Sequence, residues 1–109
     1  MVRRSLGEFE KQVMLTILQL GGEAYSVPMV VEMEARGDRE VSQAAVYIAL
    51  RRLEEKGLVT SRMEPGDETE TGRERRYFRV APEGVELLRR SRETMERFWE
   101  GLDGVVEEA

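Results

Sequence analysis

SQAAVYIALRRLEEKGL, residues 42–58, is a helix with both of its ends written into it. Ser42 carries a hydroxyl of the kind that caps a helix N-terminus, Gly57 suits a C-terminal stop, and neither Pro nor Gly interrupts the residues between them. At 100° per residue, Ala45, Val46, Ala49, Leu50 and Leu53 gather on one face, which is a core face. Gln43, Ala44, Tyr47, Ile48, Arg51 and Arg52 cover the other. That second face carries side-chain types suited to reading DNA. Gln pairs bidentately with adenine and Arg with guanine, Ala or Ile touches a thymine methyl, and a Tyr hydroxyl donates to phosphate. Against this stands a plainer use of the same residues, in which Tyr47 and Ile48 pack on a neighbouring element and Arg51 is merely solvated.

Downstream, residues 58–64 and 75–81 are β-compatible and are separated by PGDETETGRE, rich in turn formers, so a hairpin with a long tip is expected. Residues 72–80 hold Arg73, Arg75, Arg76 and Arg79 against Glu74 alone, a local charge of +3. Arg73, Arg75 and Arg76 suit a wing lying along phosphates or probing a minor groove. The same arginines would also serve to neutralise Asp67, Glu68 and Glu70 within the tip. Arg3 and Arg4 are further, weaker candidates for phosphate contact.

Upstream, Leu6, Phe9, Val13, Ile17 and Leu20 recur at steps of three and four, one face of a helix ending at Gly21-Gly22. Met14, Leu15 and Leu18 form a second apolar stripe on that helix. A short helix follows over residues 28–35, with Ser26 or Val27 as its cap, Pro28 in the first turn and Gly37 as the stop. Beyond the hairpin, residues 83 to about 102 are strongly helical, with Leu87, Leu88, Ser91, Met95, Phe98, Trp99 and Leu102 on one stripe. Nothing later in the sequence covers that stripe. Met14, Leu18, Leu88, Met95, Phe98, Trp99 and Leu102 are therefore assigned to a homodimer interface.

The resulting fold class is mainly α with a small β-hairpin: a winged helix-turn-helix DNA-binding domain over residues 1–81, then a C-terminal dimerisation helix and acidic tail over residues 82–109. The net charge of −5 looks wrong for a partner of double-stranded DNA. Its distribution resolves the conflict, because residues 93–109 carry six acids against Arg97 alone, which leaves the rest near neutral with a basic patch in the hairpin. The chain has no Cys and no His, which removes thiol nucleophiles, histidine bases and the usual zinc and haem ligands, so no metal or other cofactor is expected. The acids sit mostly as helix-surface partners, such as Arg89 with Glu93 and Arg92 with Glu96, and an enzyme is not expected. Without a long apolar run or an apolar leader, a soluble cytoplasmic protein with no membrane association is.

LGEFEKQVMLTILQLGGEAYSVPMVVEMEARGDREVSQAAVYIALRRLEEKGLVTSRM followed by GRERRYFRVAPEGVELL resembles the PadR-like family of winged helix-turn-helix regulators. The likeness is carried by the start of the third helix from Ser42 to Tyr47, by the run ALRRLEEKGL, and by Arg76-Tyr77-Phe78 leading into Pro82-Glu83-Gly84. The order and spacing of these words are specific, although no single one is. The resemblance implies a homodimeric transcription factor, usually a repressor, on an inverted-repeat operator, sometimes released by a small molecule. The length is similar to that of the short subfamily with one C-terminal helix. The resemblance places DNA contacts at Ser42, Gln43, Ala44, Tyr47 and Arg51 and in the wing. In members that bind flat aromatic ligands the dimer cavity is lined by aromatics of the last helix, so Trp99 and Phe98 mark a candidate site for a small aromatic effector; a plain buried interface is the other reading of them. Three departures stand out: Ala81 replaces a capping Thr, Ser26-Val27-Pro28 replaces a Gly-Tyr type opening, and the wing tip is acidic. A winged-helix protein-interaction module without direct DNA binding is the alternative function.

Overall fold

The computed structural model describes residues 6–37, 39–65 and 75–108. The elements run α1 (Glu8–Gln19), β1 (Glu23–Ala24), α2 (Ser26–Gly37), α3 (Gln43–Glu55), β2 (Val59–Glu64), β3 (Arg75–Val80), α4 (Pro82–Trp99) and α5 (Asp103–Glu108). The ends of α3 are those written in its sequence. Ser42 is extended and its Oγ accepts from the Ala45 N–H at 2.9 Å. Past the last turn, Gly57 takes φ +77, a conformation that an L side chain would resist, and the Leu58 N–H reaches back to the Leu53 carbonyl at 2.9 Å.

Val46, Leu50 and Leu53 of α3 are fully buried and meet Val13, Met14 and Ile17 of α1 and Met29 and Met33 of α2. The hairpin closes this core with Leu58, Val59, Phe78 and Val80. β1, absent from the sequence expectation, adds a third antiparallel strand on the far side of β3, in the order β1-β3-β2, with Glu23 opposite Arg79 and Ala24 opposite Phe78. Two residues have too little pattern to announce a strand, and their pairing is with partners more than fifty positions away.

The structure corrects four expectations. Met14, assigned to a dimer interface, is fully buried, because α1 is central and touches α2, α3, β1 and β3 together. Leu88, assigned likewise, is also buried in this chain's core. Ser26 and Val27 already lie within α2, so neither is a cap outside it. The last long helix ends at Trp99, and Gly101 at φ +78 turns the chain into the separate α5.

Only the first two turns of α4 are bound into the core. Ala81 offers no capping hydroxyl; Pro82 stands in the first turn, Glu83 supplies negative charge there, and the Ala81 N–H bonds the Leu58 carbonyl at 2.9 Å. Gly84 lies against that carbonyl so closely that a Cβ on it would stand 2.4 Å from the Leu58 oxygen. From Arg92 to Trp99 every residue is exposed. Much of α4 thus projects from the domain, in a chain whose extents are 55 × 36 × 21 Å.

Candidate nucleic-acid interface

With its inner face committed to the core, α3 presents the opposite face to solvent. Gln43, Ala44, Ile48, Arg51 and Arg52 are all exposed, Ile48 by 53%. Ile48 is thus more than half open to solvent, and the Tyr47 ring stands edge-on to Phe78 at 6.1 Å and 82° while 39% of the residue stays open. Gln43 is steadied by α2, since its Nε2 donates to Ser26 Oγ at 3.1 Å. Arg51 is only loosely engaged, its Nε 3.8 Å from Glu54 Oε1.

The alternation of the wing strands sorts its charges onto two faces. Phe78 is buried, so Arg76 on the same side of β3 shares the inner face that meets α3, and its Nη1 donates to Ser61 Oγ at 2.9 Å. Arg75, Tyr77 and Arg79 take the outer face. There the Arg75 guanidinium lies over the Tyr25 ring at 4.8 Å and that of Arg62 over Tyr77 at 4.9 Å, while Tyr25 and Tyr77 meet edge-on at 5.3 Å. Glu23 of β1 takes the Arg62 fork at 2.7 and 2.9 Å and has Arg79 at 3.9 Å. The hydrogen bond from Arg62, with the charges of Arg62 and Arg79, holds the Glu23 carboxyl below its ordinary range, against the opposing effect of desolvation. Arg73, the acids of the tip and Arg3 and Arg4 lie outside the described residues.

A sequence profile of the transcriptional regulator PadR-like family matches residues 14–90, from α1 into α4. The chain belongs to the PadR-like family of transcriptional regulators. As a PadR-like protein it is a DNA-binding transcriptional regulator with a winged-helix fold. The PadR family transcriptional regulator from Eggerthella lenta is similar in structure, with a TM-score of 0.70 at 27% identity over 94% of this chain and 88% of that one. A PadR-like transcriptional regulator from Bacillus cereus superposes with a TM-score of 0.63 at 21% identity, over 92% and 88% of the two chains. RosR of H. salinarum shares the fold at a TM-score of 0.69 and 19% identity, over 96% and 94%. No curated protein matches the chain. No helix among the described residues is long and apolar enough to cross a membrane.

Three residues of this PadR-like surface escaped the sequence reading: Ser26 beside Gln43, Ser61 beside Arg76, and Arg62 over Tyr77. A usable signal existed for one of them. It is Ser61: period-two alternation from a buried Phe78 puts Arg76 on the inner face with Ser61 and separates it from Arg75. The contacts of Ser26 with Gln43 and of Arg62 with Glu23 span 17 and 39 positions and leave no local pattern.

Around α4 the expected effector residues divide. Phe98 borders a shallow groove of about 350 Å³ with Leu6, Lys11, Leu87 and Met95, and Trp99 lies outside it. Both aromatics are exposed, Phe98 by 75% and Trp99 by 45%.

Proposed function

We propose that this PadR-like regulator is a cytoplasmic repressor that acts as a homodimer on an inverted-repeat operator, with α3 reading bases in the major groove. The observation that carries the reading is the two-sidedness of α3: Val46, Ala49, Leu50 and Leu53 are buried in the core, and the other face holds Gln43, Ala44, Ile48 and Arg51 exposed beside a capped N-terminus. In this assignment Gln43 and Arg51 pair with base edges, Ala44 meets a thymine methyl, and Ser42 and Tyr47 donate to phosphates. Arg73, Arg75 and Arg76 serve the backbone from the wing. A two-fold mate is supported by the bare stripe of α4 at Met95, Phe98 and Trp99 and by Leu102 just beyond it, each at least 44% exposed, and by Leu15 and Leu18 of α1, exposed by 47% and 41%. Joining those surfaces makes residues 82–109 the dimerisation arm and lets two recognition helices face successive major grooves. A small planar aromatic compound held between Phe98 and Trp99 of that interface would relieve repression by favouring a dimer geometry that DNA does not accept.

The test is Arg51→Ala on the duplex that the wild-type protein selects from a random-sequence pool. Loss of a bidentate guanine contact costs about 1–3 kcal/mol and relaxes preference at one position per half-site. Unchanged affinity and preference would remove α3 from base recognition, and failure of the wild type to select any duplex would favour a winged-helix protein-interaction module.

A further inference from the structure

Arg51 of α3 and Arg76 of β3 both lead to one carboxylate. Arg76 Nη1 donates to Ser61 Oγ at 2.9 Å, the Ser61 hydroxyl donates in turn to Glu54 Oε2, and Arg51 Nε stands 3.8 Å from Glu54 Oε1. The chain of contacts crosses three elements, from the last turn of α3 through β2 to β3, and Glu54, Ser61 and Arg76 are all partly buried. A carboxylate between two guanidinium groups on the side of the wing that meets the recognition helix is costly for a DNA binder. By charge alone it repels phosphate and its removal tightens binding.

We propose that Glu54, acting through Ser61, is a positioning residue that holds Arg76 in fixed register with Arg51, so that recognition helix and wing meet the duplex as one preorganised pair. The proposal rests on the reading of α3 as the recognition helix. A free arginine surrenders rotamer freedom when it binds, whereas one already held surrenders less, and Arg76 keeps further N–H donors for a phosphate after giving one to Ser61. The hydroxyl suits the link because it donates and accepts at once. Without it, nothing in this chain of contacts joins the wing arginine to α3.

The experiment uses the full chain and measures fluorescence anisotropy with the duplex selected from a random-sequence pool, across a salt series. Glu54→Ala and Ser61→Ala are expected to weaken binding by roughly 3- to 10-fold, the scale of one net hydrogen bond. Ser61→Thr, which keeps the hydroxyl, is expected to bind as wild type, and Glu54→Gln, which keeps an acceptor, to bind more tightly than Glu54→Ala. In an Arg76→Gln background neither alanine substitution is expected to weaken binding further, whereas a merely structural loss would persist there. The proposal is overturned if Glu54→Ala or Ser61→Ala binds as well as wild type or better while Arg76→Gln weakens binding, and in that case the wing contact itself survives. Should Arg76→Gln bind as wild type with an unchanged salt slope, the proposal falls together with the wing's role.

Discussion

Phe98 contributes little to the domain that carries it, and that makes it the sharpest probe of the proposed dimer. Three-quarters of the residue is exposed, on a stretch of α4 that has left the core behind. If a two-fold mate covers that surface, Phe98→Ala withdraws on the order of 100 Å² of apolar area from each protomer, taking about 150–200 Å² for a buried phenylalanine. At about 25 cal/mol per Å² the loss is roughly 2.5 kcal/mol per copy and about 5 kcal/mol for the symmetric pair. Such a loss raises the dimer dissociation constant by roughly three to four orders of magnitude. The domain itself should hardly notice, because substitutions at exposed positions stay within about 0.5 kcal/mol. Sedimentation equilibrium over a concentration series reads the first quantity, and far-UV circular dichroism checks that helix content is kept. The expected pair of results is a dimeric wild type and a folded, monomeric variant. Met95→Glu should dissociate the dimer as well, by placing a charge in the same seam. A wild type that stays monomeric throughout the series, or a Phe98→Ala dimer of undiminished strength, would refute the reasoning.

Gly84→Ala should destabilise the domain by about 2 kcal/mol and lower the thermal midpoint by roughly 10 °C, although alanine is the better helix former; a Cβ 2.4 Å from the Leu58 carbonyl forces α4 off the hairpin, and an unshifted midpoint would deny that approach. The Glu23 carboxyl, held low by Arg62 and Arg79 while Glu64 competes for Arg62, contributes stability above the ordinary carboxylate range and loses it as pH falls through the depressed value. The difference in melting temperature between wild type and Glu23→Gln should accordingly be present at neutral pH and vanish in acid, and a pH-independent difference would contradict the pairing. Planar aromatic compounds should quench the emission of Trp99, the sole tryptophan, saturably and lower affinity for the selected duplex; quenching without loss of affinity would leave a pocket that switches nothing.

What the sequence made legible follows how locally each feature is encoded. Ser42, Gly57 and the spacing of Val46, Leu50 and Leu53 announce α3 within seventeen residues, and the structure keeps all of them in those roles. An apolar stripe shows only that something covers it, so by itself it does not separate Met14 and Leu88, which lie in this chain's own core, from residues of a dimer interface. α1 is wrapped by α2, α3 and the sheet, and the start of α4 is pinned over Leu58, so this chain supplies both covers itself. Phe98 and Met95 of the same stripe are exposed, because the core ends before them. In the wing, treating Arg75 and Arg76 as equivalent missed that neighbouring residues on a strand face opposite ways. One stacks over Tyr25, and the other is bonded to Ser61. β1 and the bond from Gln43 to Ser26 depend on pairings far apart in the chain, which no local periodicity carries.

Selection of bound sites from a random-sequence duplex pool tests the central claim most directly, since one recovered motif reports sequence preference, symmetry and spacing together. A homodimer reading DNA through α3 should recover an inverted repeat whose half-sites lie about 10 base pairs apart, or a small multiple of that, and Arg51→Ala should blur one position in each half. Recovery of no motif, or of a single asymmetric site bound equally well by Arg51→Ala, would contradict the account.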